Sequence, residues 1–423
     1  MRTKKKTDKR ATRLILLCWM AYALSYVGKL SYNANITQFE GAFGIDHAEA
    51  GMVSTFFFFA YGAGQVVNGL LCRKYPIKWV IFSALMTASA MNILVVLVPD
   101  FGAVKFIWLM NGVAMSFLWT SLIRLLSETL TREDIPRAVF LMGTTVATGT
   151  LIVYGLSSVL ATVGAYRVTF YIAAALMTGA ALVWLTFFDP LVRPLRAERI
   201  AERAERTAAA PLKTERKGNA FRKFAIFLAV VACFAVSNNF LKDGLTAWTP
   251  SVLKELYDTP DWLSILLTLL LPILAVLGAG VAMRLQRAVR SFVSTCAIFF
   301  GVSALLVLSV ILLLPSSLIV VTVGCFGIIS CLMAGVNNVI TSMIPLHLKD
   351  HFSSGGLAGI INGFCYLGST LSTYGLGLIA DTYGWGAVFY VLLGIASTVT
   401  VLGVLFLTIS HLTHRATVDG VRL

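Results

Sequence analysis

Twelve long apolar runs, parted by short polar stretches, constrain this chain more than any other feature of its sequence. A run of ~20 apolar residues spans a bilayer as a helix, because the hydrocarbon offers no partner to an unpaired backbone N–H or C=O. Six runs lie near 14–39, 48–72, 78–98, 103–130, 135–163 and 166–188. Six more lie near 222–250, 262–284, 289–313, 317–346, 353–380 and 385–410. Several exceed the ~20-residue minimum, so tilted spans are expected. The predicted fold class is an all-α membrane protein of twelve transmembrane helices in two six-helix halves. Only 13% of the 423 residues are charged and 58% are hydrophobic, against ~25% charged in a soluble domain. The first run is too long for the apolar region of a cleavable signal peptide and has no small-residue cleavage pattern.

A formal charge of +14 invites a nucleic-acid reading, which the positions of the cations remove. Of 34 Lys and Arg, 28 fall in the two tails and in the loops after even-numbered spans. The opposite loops hold only Lys105, Arg167 and Lys254. This is the positive-inside asymmetry, so both termini are expected in the cytoplasm of a multi-pass cell-membrane protein, with a bacterial inner membrane as the expected site. Nucleic acid is not an expected partner, and a monomer in the lipid bilayer is the expected form.

All seven cysteines fall in or at the edges of spans and read as small packing residues. The five histidines lie at helix ends or in loops. No CxxC, metal-ligand cluster, GxGxxG or P-loop is present, so no cofactor, metal or enzymatic nucleophile is expected.

The longest loop, from Asp189 to Lys223, divides the spans six and six. The expected domains are 1–188, a cytoplasmic linker 189–221, and 222–423. Within the linker, Leu195 to Ala210 alternates Arg and Glu at helical spacing, which predicts a solvated helix between proline-marked breaks. The halves also share features. Lys29 and Lys242 each lie in the first span of a half, and "AYRVTFYIAA" (165–174) resembles "GWGAVFYVLL" (384–393). Parallel repeats of this kind place substrate near the midplane between the halves. Small residues mark close helix contacts: Gly355, Gly359 and Gly363 in span 11, and Ala60, Gly64 and Asn68 in span 2. Static packing and a sliding contact are both open there.

Three cations lie inside spans. Lysine at mid-bilayer costs roughly 2.5–3.5 kcal/mol on insertion scales. Lys29 is ~22 Å from the start of its span at 1.5 Å per residue, too deep to reach the interface. Tyr22, Ser25, Tyr26, Lys29, Tyr32 and Asn33 share one broad helical face, which is expected to line a wet cavity. In span 7, "SNNFLKDGLTAWTP" concentrates Asn238, Asn239, Lys242 and Asp243, with Gly244 and Pro250 as points of bending and Trp248 nearby. Asp243 is the one acid well inside a span. Adjacent helix residues do not face each other, so its expected partner is Lys29 or none. It is also the candidate for carrying a coupling proton. Arg124, with Glu128 four residues on, reads as a gate-level ion pair. Gln65, Asn111, Asn337, Asn338 and Asn362 are further intramembrane amides. Two mid-span lysines against one aspartate suit an anionic solute, with lysine acting as a point charge on phosphate or carboxylate.

These residues resemble the organophosphate:phosphate antiporter family of the major facilitator superfamily, and most of all its glycerol-phosphate antiporters. "YALSYVGKLSY" resembles a segment with two tyrosines before a phosphate-binding arginine; these fall at Tyr22, Tyr26 and Lys29. "FLKDGLTAWTPSVLKE" resembles a segment whose arginine, a second phosphate ligand, falls at Lys242. "GGLAGIINGFCYLGSTLS" and "ADTYGWGAVFYV" resemble the Gly-rich eleventh span and its loop. The resemblance implies twelve helices and phosphate-linked exchange. The departures are that both arginines are lysines, a span 2 lysine falls at Gln65, a span 5 histidine has no counterpart, and Cys72 replaces an acid after span 2.

The resulting expectation is a secondary transporter of a small organic anion by alternating access, a phosphorylated metabolite exchanged for inorganic phosphate, with Lys29 and Lys242 on the anionic group. Tyr22, Tyr26, Tyr32, Asn33, Gln65, Asn239 and Trp248 complete the expected substrate site. The alternatives are a proton-coupled carrier of a carboxylate using Asp243 and a sensor of sugar phosphate that does not transport.

Overall fold

A computed structural model describes residues 9–71, 75–131, 133–207, 220–314, 318–348, 352, 354–412, 417–418 and 421–422. The N-terminal half comprises α1 (Lys9–Ala34), α2 (Ile36–Phe43), α3 (His47–Leu71), α4 (Ile77–Leu97), α5 (Phe101–Thr129), α6 (Ile135–Ala161) and α7 (Tyr166–Thr207). The C-terminal half comprises α8 (Ala220–Tyr257), α9 (Asp261–Thr268), α10 (Leu270–Ala275), α11 (Gly278–Val289), α12 (Phe292–Leu313), α13 (Ile319–Asn338), α14 (Ile344–His347) and α15 (Ser354–Leu412). Eleven described helices are long and apolar enough to span a membrane. The last of these contains two spans, because α15 passes through a non-helical Gly384 at φ 77°. Twelve spans result, as the apolar runs predict.

Polar residues in the loops cap the apolar helices. Asp100 accepts from Ala103 N at the start of α5, and Ser291 accepts from Ser294 N at the start of α12. Gly44, at φ 63°, ends α2 in the left-handed conformation that glycine adopts without a Cβ penalty.

Three local expectations need correction. The predicted linker helix is not set off by breaks: α7 runs through Pro190 and Pro194 to Thr207 as one piece. Each proline removes one backbone hydrogen bond, a loss the helix sustains where neighbouring groups or water satisfy the freed carbonyl. Residues 208–219, the rest of that linker, lie outside the described residues. Conversely, the span predicted near 262–284 is present, as Asp261–Val289, but its helix is broken into α9, α10 and α11. Pro272 has no N–H to return to Thr268, and Gly278 approaches the Cys331 carbonyl too closely for a Cβ. Third, the cysteines are not uniformly buried: Cys18, Cys296, Cys325 and Cys365 are, but Cys233 is exposed.

Packing within the halves joins α3 to α5, α1 to α6 and α7, and α8 and α12 to α15. The halves meet along α3 and the first limb of α15, and along α6 and α9. Glycine sets the first of these distances. A Cβ at Gly51 would strike the Thr373 carbonyl, and one at Gly377 would lie 2.6 Å from the His47 carbonyl oxygen. The close helix contact expected at Gly64 and Asn68 is present, and it joins α3 to α5 within the N-terminal half. Asn68 donates to the Phe117 carbonyl at 3.3 Å, and Gly64 faces Ser116.

Candidate functional site

Lys29 is held in place before anything touches its ammonium. The carbonyl of the preceding Gly28 accepts from Asn92 Nδ2 at 3.1 Å and from Asn111 Nδ2 at 3.4 Å. Ser31 donates to Asn92 Oδ1 at 2.7 Å. Asn111, read from sequence only as an intramembrane amide, therefore helps to fix α1 where the lysine emerges.

The side chain is 6% exposed and its Nζ is surrounded by ring faces. The centroid of Tyr61 lies at 4.2 Å, Tyr26 at 4.8 Å, Tyr366 at 5.4 Å, and Phe57 and Phe58 both at 5.7 Å. These rings come from α1, α3 and α15, so both halves build the cage. Tyr61 and Tyr366 pack with centroids 4.6 Å apart. Gly62 leaves room for that contact, since a Cβ there would sit 2.8 Å from Tyr366 Cβ. A desolvated cation–π contact contributes up to about 2 kcal/mol, so several together offset an insertion cost of roughly 3 kcal/mol. Among the described residues Lys29 forms no salt bridge. The cage thus holds a cation without neutralising it.

Across the interface, α8 supplies a second cluster. Lys242 Nζ pairs with Asp243 Oδ1 at 3.3 Å. This corrects the expected partner of Asp243. The Cβ vectors of neighbouring helical residues diverge, but the long lysine stem curls around the helix to the carboxylate. Asp243 Oδ2 also accepts from Ser369 Oγ at 2.5 Å and from Asn239 Nδ2 at 3.1 Å. Asn239 Nδ2 reaches Ser369 Oγ at 3.0 Å. Tyr366 and Ser369 are three residues apart on one face of α15, so this face touches both clusters. Lys29 lies within electrostatic range of Asp243 and Lys242.

The structure brings together Lys29, Tyr26, Gln65, Asn239, Lys242 and Asp243. Gln65 Nε2 donates to the Tyr61 hydroxyl at 3.0 Å, and Tyr22 packs edge-on to Tyr26 at 5.3 Å and against Trp119 at 4.8 Å. Three other predicted site residues lie elsewhere. The Tyr32 hydroxyl donates to the Ala50 carbonyl at 2.9 Å, and Asn33 Oδ1 accepts from Ser54 at 2.9 Å, joining α1 to α3. Trp248 donates to the Thr373 carbonyl at 3.1 Å and packs against His47 and Trp385. Arg124 pairs with Glu128 at 2.6 Å, and Arg196 joins from the other side at 3.1 Å.

Sequence reading missed Phe57, Phe58, Tyr61, Tyr366 and Ser369. One signal was present: Tyr61 lies one turn before Gln65, on the same face of α3.

The Trp248 neighbourhood is a seal between the halves at the end of the bundle opposite the termini. His47 Nδ1 meets Glu40 Oε1 at 2.8 Å and its Nε2 meets Glu255 Oε1 at 2.9 Å. Asp381 accepts from His47 N at 3.0 Å and Ala48 N at 2.7 Å, capping α3 from the other half. Ser158 donates to the Trp262 carbonyl at 2.7 Å, joining α6 to α9. Burial holds the Glu40 carboxyl above the usual glutamate range, while the hydrogen bond from His47 opposes this.

Known proteins share this architecture. The chain is 20% identical over 397 residues to the membrane sensor protein UhpC of Escherichia coli, covering 92% of this chain and 90% of that one. The Salmonella typhimurium UhpC is 22% identical over 121 residues, 29% of this chain and 27% of that protein. Among solved structures, the chain superposes on a bacterial homolog of the human lysosomal transporter Spinster with a TM-score of 0.70 at 12% identity, covering 96% of both chains. It superposes on the nucleoside transporter NupG with a TM-score of 0.65 at 15% identity, covering 94% of this chain and 98% of NupG. At such identities the likeness shows the fold alone. The sequence pattern of the Major Facilitator Superfamily matches residues 18–373, and this chain belongs to that family of membrane transporters.

Proposed function

We propose that the protein carries a small organic anion across the membrane by alternating access, and that Lys29 and Lys242 bind the anionic group from opposite halves. The observation that carries this reading is the caged Lys29 ammonium: a buried cation with no carboxylate of its own, mid-span, where the halves meet. An arriving anion supplies the missing charge and gives the halves a reason to close around it. Phosphorylated metabolites exchanged for inorganic phosphate are the substrates implied by the family resemblance, and carboxylates stand beside them because lysines replace both arginines.

The positive-inside distribution supports an orientation with the termini in the cytoplasm. The His47–Glu255 and Asp381 contacts would then lie on the outer side, between the halves. Uptake of labelled phosphate, sugar phosphates and carboxylates into proteoliposomes tests the reading. Transport is expected with the natural chain and lost in Lys29→Ala and Lys242→Ala. Normal flux through either variant would sink it. Flux that collapses with the pH gradient and in Asp243→Asn would favour proton coupling instead.

A second reading draws on the similarity to UhpC, a membrane sensor by name, over most of both chains. A sensor would use the same cage to bind its ligand without moving it. Saturable binding with no flux in the same vesicles separates the two.

A further inference from the structure

The charges in the central site are unequal in what they leave over. Lys242 is matched at 3.3 Å by Asp243, whose other oxygen is held by Ser369 and Asn239. Among the described residues Lys29 forms no salt bridge, and its ammonium lies against ring faces. Two formal positive charges and one negative leave a single positive charge, located at Lys29. Arg124, the other intramembrane cation, pairs with Glu128, which Arg196 also reaches.

Resting on the reading of an anion site, we infer that this protein selects singly charged anions with an apolar or aromatic body, and that Asp243 sets that selectivity. One negative charge neutralises the site. A phosphate monoester carries ≈ −1.5 to −2 at neutral pH, so it brings negative charge that finds no counterpart. In a partly buried site an unmatched charge a few ångströms from its neighbours is worth more than a factor of ten in affinity. The organic part is recognised by the same geometry. An anion that reaches Lys29 Nζ places its substituent among Tyr26, Tyr61, Tyr366, Phe57 and Phe58, which present faces and edges rather than hydrogen-bonding amides. The hydroxylated body of a sugar gains less from such walls than a flat apolar one.

The test is a binding titration of purified protein, which reads ligand affinity whether or not the protein transports. Three probes share one ring: benzoate, methyl phenyl phosphate (a singly charged diester) and phenyl phosphate (the monoester). The expected result is that both singly charged probes bind at least about tenfold more tightly than phenyl phosphate. Asp243→Asn keeps an oxygen acceptor for Ser369 and Asn239 but raises the site by one charge. It should reverse the order in favour of phenyl phosphate. The double variant Lys242→Gln/Asp243→Asn returns the formal charge to its original value and should restore the preference for single charge. Tighter binding of phenyl phosphate by the natural protein would overturn the inference while leaving the anion site standing, and so would an order unchanged by Asp243→Asn. Should that variant fail to fold, the order measured on the natural protein decides alone. Binding of none of the probes, nor of inorganic phosphate, would remove the anion-site reading together with this one.

Discussion

Lys242 and Asp243 are consecutive residues of one helix, yet their charged ends lie 3.3 Å apart. The pair alters the arithmetic of the site. Of the two lysines that equivalent positions in the halves supply, one arrives already balanced, and the caged Lys29 alone retains an open demand for negative charge.

That cage offsets the cost of burying Lys29, so the charge is kept with little net effect on stability. Lys29→Met would replace a buried ammonium by a flexible apolar chain among five rings, removing an insertion cost of roughly 3 kcal/mol against the loss of its cation–π contacts. The thermal midpoint in detergent is expected to hold or rise while anion binding is lost. A marked fall in the midpoint would show that the ring contacts outweigh the burial of charge.

Ser369→Ala removes the donor to Asp243 at 2.5 Å. Hydrogen bonds to charged groups contribute about 1.5–3 kcal/mol. The expected consequence is a fall in anion affinity of roughly tenfold, with Ser369→Thr, which keeps a hydroxyl, closer to the natural protein. Equal titration curves for the alanine variant and the natural chain would show that Ser369 does not order the carboxylate.

Two glycines separate by what a Cβ would meet. Gly51 faces the Thr373 carbonyl across the interface of the halves, whereas nothing lies within 4 Å of a Cβ placed on Gly359. Gly51→Val is expected to wedge α3 from α15 and abolish flux. Gly359→Ala should be neutral, or slightly stabilising through higher helix propensity. Transport rates in vesicles check both.

Glu40 gives the outer seal a pH dependence with a definite sign. Burial raises its carboxyl above the ordinary 4.5, so its contribution to stability is fully present below that value and is lost as pH rises through the raised one. Relative to Glu40→Gln, which does not titrate, the natural protein should lose thermal stability as pH rises from 4.5 through the raised value. A relative gain over that range would mean that the pairing with His47 outweighs the burial.

The twelve spans were legible because bilayer thickness imposes a minimum apolar length on each, and the orientation expected for them follows from where the cations stand. Lys29 and Lys242 were legible as site residues for a related reason. A charge in the middle of an apolar run is so unfavourable that it calls for a function. Tyr61 and Tyr366 carry no such mark, since a tyrosine in an apolar run is ordinary. They become a cage only when α3 and α15 cross at Gly62.

Tyr32, Asn33 and Trp248 show the converse. Their spacing put them on the predicted face or in the predicted helix, but a helix face is broad, and neighbouring carbonyls and hydroxyls had already claimed their polar atoms. The spans, their number and the depth at which charge enters the membrane follow from the sequence, because they depend on chain length and solvent alone. Which aromatic rings surround Lys29, and which carboxylate answers Lys242, depends on how the helices pack. Those are distances between helices far apart in the chain, and glycines and side-chain reach set them.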